Sequence, residues 1–143
     1  MRIICIGKLK EEFKLLENAY LKKIKPFTKI EIIEIKEAKG NSAKEILKKE
    51  EKEIVPKIKG NIIVLVEEGK LLSSEEFARI VEKSPEITFV IGSSYGISEA
   101  IKKKASVLLS LSKMTFSHQL ARIILLEQIY RAYCIIKNLP YQR

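Results

Sequence analysis

Three short stretches bring glycines and hydroxyl side chains together between apolar runs: "EEGK" (67–70), "GSSYG" (92–96) and "LSKMTF" (111–116). The third belongs to a longer segment, "LSLSKMTFSHQLAR" (109–122), in which the one histidine of the chain, His118, stands just before a long apolar run. Glycines that let a backbone approach closely, with hydroxyls beside them, suit a ligand held by peptide N–H and C=O groups. "GSSYG" does not fit the dinucleotide pattern G-x-G-x-x-G and lacks the Gly-Lys-Ser/Thr of a phosphate-binding loop. A pyrophosphate cradle is therefore disfavoured. The residues suit a less charged nucleoside, its base lying against apolar side chains such as Leu65, Ile97, Leu111 and Met114. A reading without a ligand is also open, in which Gly92 and Gly96 supply positive-φ backbone, Ser98 caps a helix and His118 is hydrogen-bonded locally.

Elements must position these stretches. "RIICIG" (2–7) and "IEIIEI" (30–35) are short and β-branched, which predicts strands, and "EEFKLLENAYLKKI" between them spaces its apolar residues as a helix does. Pro26 ends that helix. Asn41 or Ser42 caps a second helix that runs to about Val55, with Pro56 and Gly60 as stop signals. "NIIVLVEEGK" predicts a third strand whose unbroken apolar run suits burial on both faces. Ser74 opens and caps the helix "SSEEFARIVEK", with acids in its first turn. "ITFVIG" is a fourth strand, "SEAIKKKA" a short helix and "SVLLSLS" a fifth strand. The last helix spans 118–138, with Ser117 as its cap and Glu127 and Arg131 as an i,i+4 pair. Five β–α units predict an α/β domain with a mainly parallel sheet and helices on both faces. In such sheets ligands bind outside the carboxyl ends of the strands, near the point where strand order reverses. The three chemistry-bearing stretches follow the third, fourth and fifth strands, so they are expected at that place.

At 143 residues, with 46% apolar and 31% charged residues, the chain is expected to form one domain over 1–143. Its start carries no secretory pattern, and no apolar stretch reaches the ~18 residues of a membrane span, so a soluble intracellular protein is expected. Cys5 and Cys134 lie in apolar segments without close spacing, which predicts buried thiols rather than a disulfide or a metal site. The net charge of +9 is uneven: residues 102–143 hold eight basic residues and one acid, Glu127. Such an excess attracts a polyanion, although it serves solubility equally well. The charges of "KEAKGNSAKEILKKEEKEIVPKIKG" are mixed, as on a solvated helix face. The last helix is apolar nearly all round and must be covered by its own core or by a second subunit, most simply in a two-fold homodimer.

The segment "LSLSKMTFSHQLARIILLEQIYRAYCIIKNLPYQR", with "FVIGSSYGIS", "IIVLVEEGK" and "MRIICIGKLK", resembles the small bacterial SPOUT methyltransferases that modify large-subunit ribosomal RNA at N3 of a pseudouridine. The resemblance covers essentially the whole chain. It implies a trefoil-knotted α/β domain, a cytoplasmic homodimer without metal, S-adenosyl-L-methionine as methyl donor, and a target in a 23S rRNA stem-loop of the assembled 70S ribosome. The donor-binding positions of that family match Leu65, Gly92 with Gly96 in the same loop, and Leu111, Ser112, Lys113, Met114, Thr115 and Phe116. Methyl transfer from a sulfonium needs little covalent help; the protein must align the nitrogen with the methyl group and favour loss of its proton. His118, Arg122, Tyr130, Tyr141, Gln142 and Arg143 are the residues of the matched segment suited to position substrate. Arg122 and Arg143 are expected at phosphates or a base edge, and Lys102, Lys103 and Lys104 at the RNA backbone.

The chain departs from the family at three places. The family commonly ends in Tyr-His and a basic residue, whereas this chain reads "PYQR"; Gln142 cannot act as acid or base and is expected to orient substrate by hydrogen bonds. Ser93 stands where a second glycine is usual, and Ser117 where a proline is usual. The alternative to an enzyme is an RNA- or ribosome-binding protein that kept the fold and the basic surface and lost the donor.

Overall fold

In the computed structural model, which describes residues 1–142, the strands and helices follow one another in the predicted order. They are β1 (Arg2–Ile6), α1 (Glu11–Ile24), β2 (Glu31–Ile35), α2 (Ala43–Ile54), β3 (Asn61–Leu71), α3 (Ser74–Lys83), β4 (Ile87–Ile91), α4 (Glu99–Lys104), β5 (Val107–Ser110) and α5 (His118–Ile136). A single 3₁₀ turn, Val55–Lys57, absorbs Pro56 at the end of α2. Hydroxyl caps start four helices: Ser42, Ser98 and Ser117 accept N–H bonds as expected, and for α3 the cap is Ser73 rather than Ser74. There Ser73 and Glu76 form a reciprocal capping box, which Ser74 has no acid at the right spacing to make.

All strand pairs are parallel, in the order β2-β1-β4-β3-β5. Side chains alternate between two cores. Ile3, Cys5, Ile63, Phe89 and Ile91 face α1, α3 and α5, whereas Ile4, Ile6, Val64 and Val90 face α2 and α4. Burial on both faces explains the unbroken apolar runs of β1 and β3; in β4 the run is interrupted by Thr88, whose buried hydroxyl is hydrogen-bonded to the Lys59 backbone. The two crossovers toward β2 run over the first face, and the two in the opposite direction over the second. All four thus share one hand, as the twist of parallel strands demands. Both thiols are buried, and burial pushes that of Cys5 up to about 12 against the opposing charge of Arg122.

The apolar circumference of α5 is covered largely by its own chain. Leu125, Leu126, Ile129 and Ala132 are fully buried against α1, α3 and the sheet, while Leu120 remains exposed. The same packing corrects the expectation for Arg122. Its guanidinium is buried, donating through Nε and Nη2 to both oxygens of Glu17 on α1 (2.6 and 2.9 Å) and through Nη1 to Glu34 on β2 (2.7 Å). Arg122 therefore ties α5 to α1 and β2 and has no donor group turned to a phosphate. Lys102, expected at the RNA backbone, and Arg131 are also in ion pairs; of the eight basic residues of 102–143, Lys103, Lys104, Lys113 and Lys137 make no ion pair among the described residues.

Burial would raise the pKa of Glu34, but the hydrogen bond and charge of Arg122 and the Leu9 N–H hold its carboxyl below the usual 4.5. A depressed pKa in the fold contributes stability that is present above the unfolded value and lost as pH falls through the lowered one. Arg122→Met should lower unfolding free energy by about 3–5 kcal/mol, because two carboxylates then face each other without their cation. Urea titration at neutral pH measures this loss. Glu34→Gln should flatten the fall in stability below pH 4.5, read by the same titration across pH.

Candidate functional site

Strand order places the carboxyl ends of β4, β3 and β5 side by side, and the chain leaves them in different directions. After β3 and β5 it passes to α3 and α5 on one face, and after β4 to α4 on the other. A cleft of about 570 Å³ opens where these paths part. Its volume lies in the range of small-molecule sites.

Its walls come from two of the stretches singled out by residue type and from β3, in which 67–70 continues as strand, pairing again with β5 beyond a bulge, rather than following the strand as expected. Leu65 and Glu68 line it from the β3 end, Gly92, Ser93, Gly96 and Ile97 from the β4 loop, and Leu111, Ser112, Met114, Thr115 and Phe116 from the segment after β5. Lys113 is exposed and lies outside the lining. Gly96 has φ +89°, as expected of a turn glycine, whereas Gly92 does not have positive φ. Gly92 is required by space: a Cβ there would stand 2.2 Å from the carbonyl oxygen of Gly96.

The hydroxyls shape the loops. Ser110 donates to the carbonyl of Ser112 (2.8 Å), and Ser112 Oγ accepts the Met114 N–H (3.0 Å). Among the described residues, Leu111–Phe116 makes no backbone–backbone hydrogen bond of the turn or loop kind. Apart from the Ser112 carbonyl and the Met114 N–H, the peptide groups of Lys113–Phe116 are left to solvent or to a ligand. Lys102 on α4 donates to Glu68 (2.7 Å) and Glu99 (3.4 Å); the hydrogen bond it gives to Glu68 raises the Lys102 pKa and lowers that of Glu68. The pair puts both signs of charge in the cleft wall.

Of the residues expected to position substrate, the described ones fall into two groups in this chain: His118 and Arg122 at the start of α5, and Tyr130, Tyr141 and Gln142 further along it. His118 reaches the cleft from the first turn of α5, and a Cβ on Gly7 would lie 3.6 Å from its Nε2 and 3.4 Å from Glu37 Oε1. Arg122 sits behind it in the buried ion pairs already described. Tyr141 docks further along α5, its ring edge-on to Tyr130 (centroids 4.8 Å) and under Arg131 (4.6 Å), with its hydroxyl donating to Glu127 (3.1 Å). Burial and the Glu127 carboxylate push that phenol up, so it stays a proton donor. Gln142 accepts from Arg131 (2.9 Å) and donates to Glu75 (3.0 Å), and Arg143 lies outside the described residues. With a rise of about 1.5 Å per residue, the Glu127–Arg131 platform is roughly 13–20 Å along the helix from His118.

Residue type alone did not reveal Glu17 and Glu34 as partners of Arg122, nor Glu37 beside His118, since each pair joins distant parts of the chain. Glu50, buried and hydrogen-bonded to Ser93, was also missed, although a signal was present: it occupies the stripe Ile46, Glu50, Ile54 of α2, where an apolar residue is expected. Among the described residues no group of three or more His, Cys, Asp and Glu is gathered as for a metal ion, and no helix is long and apolar enough to cross a membrane.

Comparison with known proteins agrees with this arrangement. A family model described as "Predicted SPOUT methyltransferase" matches residues 1–142. A protein of Caldicellulosiruptor saccharolyticus is 46% identical over 100% of this chain and 99% of its own length, and one of Thermodesulfovibrio yellowstonii 45% identical over 94% and 92%. A third, from Malacoplasma penetrans, is 43% identical over 100% and 99%. Each of the three carries the name Ribosomal RNA large subunit methyltransferase H. With its parallel α/β sheet, its cleft at the strand ends and a family match over nearly its full length, the chain belongs to the SPOUT methyltransferase family.

Proposed function

We propose that this protein transfers a methyl group from S-adenosyl-L-methionine to N3 of a pseudouridine in a 23S rRNA stem-loop of the 70S ribosome, as a cytoplasmic homodimer whose chain carries a trefoil knot. The observation that carries the reading is the meeting of β3 with the loops after β4 and β5 in one cleft, with unpaired peptide groups in its wall. The relatives named as ribosomal RNA methyltransferases support the substrate class.

The residues present fit the donor. Leu65, Ile97, Leu111 and Met114 offer an apolar slot for adenine, the peptide groups of 111–116 can meet its polar edge, and the bare Cα of Gly92 lets the β4 loop close on the Gly96 carbonyl beside it. When bound, S-adenosylmethionine supplies a methyl group made electrophilic by its sulfonium. The chain's own tasks are orientation and proton movement. Phe116 and Leu111 exclude water from the cleft, and the imidazole of His118, with Glu37 nearby, is placed to take the N3 proton. Lys103, Lys104 and Lys113 hold phosphates from the exposed surface. Tyr141, docked away from the cleft of its own chain, serves substrate through the cleft of a second copy.

Methyl transfer from labelled donor to 70S ribosomes, separated subunits and free rRNA, with mass mapping of the product, tests the reading. Label on one pseudouridine of 23S rRNA from 70S particles is the expected result, and absence of donor binding by calorimetry would sink it. Gly92→Val should weaken donor binding by about a hundredfold, because its Cβ would collide with the Gly96 carbonyl and shift the cleft loop on the ångström scale. His118→Ala should lower kcat by at least about a hundredfold while donor affinity stays within about threefold, as loss of a proton acceptor predicts.

A further inference from the structure

Beneath the β4 loop lies a carboxylate that the reaction does not use. Glu50 of α2 is 3% exposed, and its Oε1 accepts the Ala38 N–H at 3.3 Å while its Oε2 accepts the Ser93 hydroxyl at 3.0 Å. Ser93 passes the contact on: its Oγ accepts the Tyr95 N–H (3.3 Å) and its carbonyl accepts the Gly96 N–H (2.9 Å). Among the described residues no lysine or arginine pairs with Glu50. Burial pushes its carboxyl above the usual range, aided by the charge of Glu37 and opposed by the Ser93 and Ala38 hydrogen bonds. An apolar side chain would continue the stripe of Ile46 and Ile54 without that cost, so the acid is not there for packing.

We propose that Glu50 is a positioning residue for the donor site: through Ser93 it fixes the Gly92–Gly96 loop in the shape that the cleft needs. The inference rests on the donor reading of that cleft. The loop has little else to hold it. Ser94, Tyr95 and Gly96 are exposed, and Gly92 must keep within close approach of the Gly96 carbonyl for the turn to close. A hydrogen bond from a hydroxyl to a buried acceptor anchors the one loop residue that also organises the turn.

Two measurements on Glu50→Leu, Glu50→Gln, Ser93→Ala and the Glu50→Leu/Ser93→Ala pair test this. Amide exchange at Tyr95 and Gly96 is followed in the ligand-free protein, and S-adenosylmethionine affinity is read by calorimetry. Glu50→Leu and Ser93→Ala should each speed exchange at both amides and weaken donor binding about tenfold, the worth of one hydrogen bond to a charged group. Glu50→Gln, which keeps an acceptor for Ala38 and a polar partner for Ser93, should stay within about threefold, and the double variant should be no worse than either single one. Wild-type affinity and exchange in folded Glu50→Leu, or losses that multiply in the double variant, would overturn the proposal, as would losses that merely follow melting temperature. If the wild-type protein binds no S-adenosylmethionine, the donor reading fails, and the exchange data alone still decide whether Glu50 holds the loop.

Discussion

The position of β3 between β4 and β5 is the constraint on which the site depends. Parallel strands need long crossovers, and a single hand sends those crossovers over opposite faces according to direction. Helices α3 and α4 consequently leave the ends of β3 and β4 on opposite sides of the sheet, and the space between their paths cannot be filled by either. The cleft is the result of that topology before any side chain is considered. Its lining residues then decide what it takes: apolar walls, a bare Cα at Gly92 and loop peptide groups without backbone partners make a site for a flat, weakly charged group.

Buried charge is used in two different ways around this cleft. Arg122 is buried with two carboxylates, in a bidentate and a single contact that join three elements, and the group, with one negative charge in excess, is rich in good hydrogen bonds. Such a cluster adds little net stability relative to apolar packing, but removing one member is costly, so it fixes how α5 lies on α1 and β2. His118, one turn before Arg122 on α5, inherits its place from that docking. Among the described residues Glu50 is paired with no cation, and its hydrogen-bond partners there are neutral donors, one of which belongs to the β4 loop. The first arrangement orients a helix; the second touches the cleft wall itself.

Much of the fold was legible in the order of residues because period and punctuation are local properties. Unbroken apolar runs of five or six residues marked strands buried on both faces, and serines before amphipathic runs marked helix starts. The cap of α3 shows the limit even there, since Ser73 and Ser74 differ only in the acid three residues on. The two cleft loops after β4 and β5 were also legible, because ligands in parallel α/β sheets lie at strand ends and those loops carried glycine and hydroxyl residues, whereas 67–70, expected after the third strand, stays within it. Reading Arg122 as a phosphate ligand failed for a physical reason: charge on a helix says nothing of which carboxylates lie opposite, and Glu17 and Glu34 are 105 and 88 residues away in the chain.

The sequence by itself determined the elements, their alternation and the loops where chemistry gathers, since each follows from residues a few positions apart, and the alternation in turn implied a parallel sheet. Tertiary structure decided which charges remain available and which are spent. It buried Arg122, paired Lys102 with Glu68, docked Tyr141 and Gln142 on α5, and set Glu50 under Ser93. These outcomes depend on the neighbours of a side chain across the sheet or between helices, and such proximity is created only when the chain has closed on itself.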